Sequence, residues 1–205
     1  MDRRTLLGLA EAATPGAAAA APAAASTSPA RETIRKRYFP DVVLQAHDGR
    51  ELRFYEDLIK DRVVTLNFMY VNCADGICPI TTHKLLHVQK QLKPRVGRDI
   101  FMYSITLDPE RDTVAALKKH ARSHGAGPGW LFLRASSQDT ELLRRKLGFS
   151  SRDPVLDAKK ENHAAMIRYG NEPRQLWAMT NGFASPEVIA RAIRWVAEKP
   201  ATRAA

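Results

Sequence analysis

The chain alternates between two hydrophobic periods. Val63–Tyr70 (V-V-T-L-N-F-M-Y) and Ile100–Leu107 (I-F-M-Y-S-I-T-L) are almost continuously apolar. Such runs predict strands buried on both faces, as in a parallel or mixed sheet. Val42-Val43-Leu44, the turn His47-Asp48-Gly49-Arg50 and the return Glu51–Phe54 predict an N-terminal β-hairpin, because Asp-Gly accepts left-handed backbone. Tyr55–Ile59 is expected as one or two helical turns. Pro79 opens a predicted helix to about Leu92, with Leu85, Leu86, Val88 and Leu92 as its apolar stripe. Asp112 or Thr113 caps a second helix reaching His124. Trp130–Leu133 is a strand and Ser137–Leu147 a helix. His163–Tyr169 and Gln175–Thr180 form a hairpin turned at Gly170-Asn171-Glu172-Pro173, and Ser185-Pro186 starts a last helix to about Glu198. Strands alternating with helices predict an α/β fold with a central mixed β-sheet flanked by helices.

Composition adds three constraints. A hydrophobic fraction of 44% over 205 residues provides for one packed domain. The net charge is +10, but the basic residues are scattered, as in Arg35-Lys36-Arg37, Lys118-Lys119, Arg144-Arg145-Lys146 and Lys159-Lys160. No basic stretch is interleaved with aromatics, so no nucleic acid partner is expected. No run approaches the ~20 apolar residues that span a bilayer. The start, M-D-R-R-T-L-L-G-L-A and an Ala-rich continuation to Ala23-Ala24-Ala25, has the features of a twin-arginine export signal. The expected organisation is a signal at 1–25, a linker at 26–37, a domain at 38–199 and a tail at 200–205. The expected compartment is the periplasm, with membrane association only through an uncleaved signal.

Both cysteines of the chain lie in V-N-C-A-D-G-I-C-P, residues 71–79. A disulfide closing so short a loop removes little entropy from the unfolded chain, so the pair is not a structural staple. Its position points to chemistry instead. Cys78 lies where a strand meets a helix N-terminus, and unpaired N–H groups there favour negative charge. Thiolate both attacks disulfides and binds soft metals. Asp75-Gly76 supplies a turn that brings the sulfurs together.

F-M-Y-V-N-C-A-D-G-I-C-P-I-T-T at 68–82, S-I-T-L-D-P-E-R-D-T at 104–113 and N-H-A-A-M-I at 162–167 occur in that order, with Trp130-Leu131-Phe132-Leu133 between the last two. Together they resemble the Sco/SenC copper chaperones of cytochrome c oxidase assembly, over about Phe39 to Val196. The resemblance implies a thioredoxin-like fold and one copper ion per chain, held by Cys73, Cys78 and His163. It implies as partner the dinuclear copper site of oxidase subunit II, or another periplasmic copper or thiol protein. Thiolates select copper(I) and imidazole suits copper, so the residue types agree with the resemblance. The family has three residues between its cysteines where this chain has four.

The same pair, Cys73 and Cys78, supports a thiol–disulfide oxidoreductase that holds no metal, or a redox sensor that docks in one cysteine state. A peroxidase shares the fold class, but no residue favours it. A monomer is expected, and no small-molecule substrate is indicated. His83 and His87 lie four apart on one helix face beside the cysteine loop, a spacing that admits a metal pair, although a polar helix face is the plainer expectation; His120 and His124 repeat the spacing in a later helix. His47 is expected exposed in its turn. Asp108 is expected near the cysteine loop, and Asp112 as a helix cap. Met69, Met102, Met166 and Met179, with Trp130, Trp177 and Trp195, are expected to pack in or at the core.

Overall fold

The computed structural model describes residues 29–73, 76–158 and 165–198. Helix α1 (Pro29–Tyr38) leads into strands β1 (Val43–Ala46) and β2 (Glu51–Arg53), then a π-helical turn at Phe54–Ile59. Strand β3 (Val63–Met69), helix α2 (Ile77–Leu92) and strand β4 (Ile100–Thr106) follow. Next come α3 (Val114–Ser123), β5 (Trp130–Arg134), α4 (Ser137–Lys146) and the short α5 (Pro154–Ala158). Strands β6 (Met166–Asn171) and β7 (Leu176–Asn181) and helix α6 (Pro186–Ala197) complete the described chain. The strands form one mixed sheet in the order β2-β1-β5-β4-β3-β6-β7. β4 lies parallel to β3 and β5, while every other pairing is antiparallel.

The apolar runs occupy the centre of the sheet, and their period of two divides them between two cores. Val64, Leu66, Phe68, Tyr103 and Ile105 face the π-helical turn, Leu143 of α4, Leu147 at its C-cap, and Phe149. Val63, Met69, Ile100, Met102, Trp130 and Phe132 face α2, α3 and α6. Each fully buried side chain of this kind contributes roughly 1.5–3 kcal/mol. On the second face a buried polar chain crosses three strands: Trp130 donates to Ser104 (2.9 Å) and Ser104 to Asn67 (2.7 Å).

Three expectations change. Residues assigned to the linker form α1, which is anchored by a contact far away in sequence. Arg31 donates to Glu172 from Nε at 2.7 Å, and Glu172 also accepts from Tyr55 Oη and Asp61 N, each at 2.9 Å. Glu172 is 1% exposed. Burial opposes its charge, but these donors outweigh burial and hold its carboxyl below the usual range. His47 is half-buried rather than exposed, because its Nδ1 accepts the Phe132 N–H and its ring packs edge-on against Phe132. Trp195 is 62% exposed. The buried stripe of α6 is Ile189, Ala190, Ile193 and Val196, and position 195 falls on the opposite side of a 3.6-residue turn. Trp130 is buried and Trp177 half-buried, and the four methionines pack in or against the cores as expected.

Candidate metal centre

The loop between β3 and α2 is built by helix-start chemistry. α2 begins at Ile77, two residues before the expected Pro79, with Gly76 at its N-cap in left-handed backbone (φ 75°). A Cβ on Gly76 would meet nothing within 4 Å, so its requirement for glycine is conformational rather than spatial. Cys78 is therefore the second residue of the helix, where its N–H has no intrahelical acceptor. That N–H is directed at Cys73 Sγ (3.4 Å), and the Tyr70 N–H at the end of β3 is directed at Cys78 Sγ (3.3 Å). Gly76 N also donates to Cys73 O at 3.4 Å, closing the turn. Pro79 lacks an N–H at a first-turn position that needs none. Cys78 is 1% exposed and belongs to the core, whereas Cys73 is half-buried against it and is the more exposed residue of the two.

The loop is braced from β4. Asp112 is buried, and its Oδ2 accepts both the Val71 N–H (3.0 Å) and the Thr106 hydroxyl. Thr106 Oγ1 in turn accepts the Asp108 N–H (3.0 Å). Asp112 is thus not the helix cap that its position suggests. Thr113 caps α3, its side chain accepting from Ala116 N. Nothing in D-P-E-R-D-T indicates which aspartate reaches 41 residues back to Val71. Asp108 is linked to the loop through Thr106 and Asp112.

Removing the brace is expected to loosen the cysteine loop. If the cysteines hold copper(I), as the resemblance implies, Asp112→Ala should weaken that binding about 10- to 100-fold, the usual loss when a group that orients metal ligands is removed. Competition titration against a chelator measures it, and an affinity equal to that of the parent would show that the loop holds its shape without Asp112.

His163 lies outside the described residues, as do Ala74 and Asp75. The described chain resumes at Ala165 and enters β6 at Met166, antiparallel to β3 with Ile167 opposite Asn67. Strand β6 therefore begins beside the end of β3 that leads into the cysteine loop. Among the described residues no group of three or more His, Cys, Asp or Glu side chains converges as a metal site.

A thioredoxin-like sheet with a cysteine pair at a strand-to-helix junction defines the class of protein. The SCO1/SenC family model matches residues 31–198, and the chain belongs to that family. A SCO1 homologue of Bacillus subtilis is 33% identical over 95 residues, which are 46% of this chain and 47% of that relative. The chain thus spans about half of that relative's length. The crystal structure of yeast Sco1 with copper bound matches with a TM-score of 0.59 at 21% identity, covering 76% of this chain and 92% of that one. The structure of BsSco, described as carrying a disulfide switch and as a Sco-family cytochrome c oxidase assembly protein, matches with a TM-score of 0.59 at 23% identity. It covers 76% of this chain and 90% of that one. At these identities the two solved structures establish the fold.

Proposed function

We propose that this protein is a copper metallochaperone that holds one copper(I) ion through Cys73, Cys78 and His163 and passes it to a copper site of cytochrome c oxidase. The observation that carries the reading is the coupling of the two cysteines, with the Cys78 N–H directed at Cys73 Sγ at 3.4 Å across the β3–α2 junction. Gly76 turns with positive φ just before α2, and with four residues between the cysteines the Cys78 N–H still reaches Cys73 Sγ, so the longer spacing is compatible with neighbouring cysteines. Two soft sulfurs and one imidazole suit copper(I) and leave an open edge from which the ion can be handed on. Zinc would require a fourth ligand. The half-buried Cys73 supplies the exposed side of such a site. The Arg3-Arg4 segment, outside the described residues, is read as an export signal, and the compartment proposed with it is the periplasm. No described helix is long and apolar enough to cross a membrane.

A second reading, thiol–disulfide exchange, draws on the difference in burial. An attacking thiolate has to reach its target disulfide, and of the two cysteines Cys73 is the more exposed residue. Cys73 would attack and Cys78 would resolve, the new Cys73–Cys78 bond taking up the two electrons' worth of oxidation that the substrate disulfide loses.

The deciding experiment is a copper(I) competition titration of the fully reduced protein beside His163→Ala. One tightly bound copper per chain is expected, weakened about a hundredfold in the variant, or ~2.7 kcal/mol. Copper binding indifferent to His163 would remove the histidine from the site. Absence of competitive binding would leave thiol–disulfide exchange as the function.

A further inference from the structure

We propose that His83 and His87 form a second metal site on the outer face of α2, which binds a divalent ion, copper(II) foremost. The two histidines occupy i and i+4 of the helix that carries Cys78, and both are exposed. Their Nε2 atoms lie 3.2 Å apart, with ring centroids at 4.8 Å and planes at 70°. Without metal, one ring donates its Nε2–H to the other. A divalent ion replaces that shared proton. With metal–nitrogen bonds of about 2.0–2.1 Å, a 3.2 Å separation corresponds to an N–metal–N angle of about 100°. That lies between square-planar and tetrahedral requirements, so the pair chelates with little rearrangement.

The surroundings favour a cation there. Lys84, between the two histidines in sequence, is turned away and donates to Phe183 O and Ala184 O. Glu187, at the start of α6, is held ionised chiefly by its own backbone N–H and by Ser185, and it also feels His87. On the other side His124, at the C-cap of α3, has its pKa lowered first by burial and then by nearby His83, which disfavours a positive charge there. The pair His120/His124 has the same spacing and a different fate. His120 is buried against Phe132, with the ring edge-on at 5.3 Å, and packs rather than chelates. Two imidazoles are the protein's donors at the new site and water completes it. Affinity then rises along manganese, iron, cobalt and nickel to copper, and falls at zinc.

The site is separate from the cysteines. His83 is five residues past Cys78, about 7.5 Å further along the helix axis, and on the solvent side while Cys78 is buried. Imidazole retains copper(II) where thiolate retains copper(I), so one helix carries donors matched to each oxidation state.

The test uses the full chain with Cys73→Ser and Cys78→Ser, which removes the thiols that reduce copper(II). One equivalent of copper(II) should bind, with electron paramagnetic resonance showing coordination by two imidazole nitrogens. His83→Gln and His87→Gln should each weaken it at least about tenfold. Both positions are exposed, and circular dichroism verifies that the variants remain folded. Binding unchanged in both variants, or a spectrum without two nitrogen donors, overturns the proposal. Because the cysteines are absent, neither outcome depends on the copper(I) site, whose own titration is read in the reduced parent protein.

Discussion

Cys78→Ser is expected to lower copper(I) affinity at least about a thousandfold, or ~4 kcal/mol. The substitution keeps the size of the side chain and an acceptor for the Tyr70 N–H, now 3.3 Å from Cys78 Sγ. It exchanges a soft, anionic sulfur for a hard, neutral hydroxyl, which copper(I) does not favour. The cost to folding is smaller. A hydroxyl in this buried position retains one hydrogen bond, so destabilisation should stay near 1–3 kcal/mol. Chelator competition and denaturant unfolding on the same sample separate the two effects. Cys73→Ser should lose a similar amount of affinity with less loss of stability, because Cys73 is half-buried. If either serine variant held copper(I) as the parent does, the cysteines would not be the copper donors. The pair would then be read as a redox couple.

What could be read in advance follows from how local each signal is. The two apolar runs were legible as central strands because burial on both faces removes the polar positions from a strand. Asp48-Gly49 was legible as a hairpin turn, and Gly49 does adopt φ 94°. The start of α2 was displaced by two residues, since Pro79 marks the first turn of a helix without saying which position in it. Gly76 decided that start by turning left-handed. Helix α1 was not legible. Its sequence, P-A-R-E-T-I-R-K-R-Y, is polar, and none of its residues is buried. It is held by Arg31 on Glu172, 141 residues later, a pairing that no local pattern encodes. Asp112 was missed for the same reason. Its nearest role by sequence was a cap, and its actual role depends on β3 and β4 lying side by side. The pairing of Cys73 with Cys78 was legible from one loop, whereas His163 rests on resemblance alone and lies outside the described residues.

The stretch that leads towards His163 is secured by a buried arginine, and that contact provides the second large effect. Arg144 of α4 is 1% exposed. It donates to both oxygens of Asp157 in α5, at 2.7 Å each, to both oxygens of Glu141, at 2.8 and 2.9 Å, and to Phe149 O at 2.9 Å. Phe149 packs edge-on against Phe68 in the core, so the guanidinium ties α4, α5 and the core together. Arg144→Met fills much of the same volume but leaves two carboxylates and a carbonyl without that donor. Breaking a buried ion pair from one side costs about 3–5 kcal/mol, and a loss of that size is expected in denaturant unfolding. Acid should reproduce part of it. Hydrogen bonding from Arg144, partly opposed by burial and supplemented by Arg145, holds Glu141 down at about 2, against an ordinary 4.5. A depressed carboxylate stabilises the fold above its unfolded value, so this contribution is complete above about pH 4.5 and lost as pH falls towards 2. The parent should therefore lose stability across that window more steeply than Arg144→Met, whose Glu141 keeps only the weaker support of Arg145. Because α5 ends at Ala158, five residues before His163, the variant should also weaken copper(I) binding at neutral pH, where the remaining fold is intact. Parallel pH–stability curves for the two proteins would show that the arginine does not set the carboxylate's ionisation. Unchanged copper affinity would show that the His163 segment is positioned without α5.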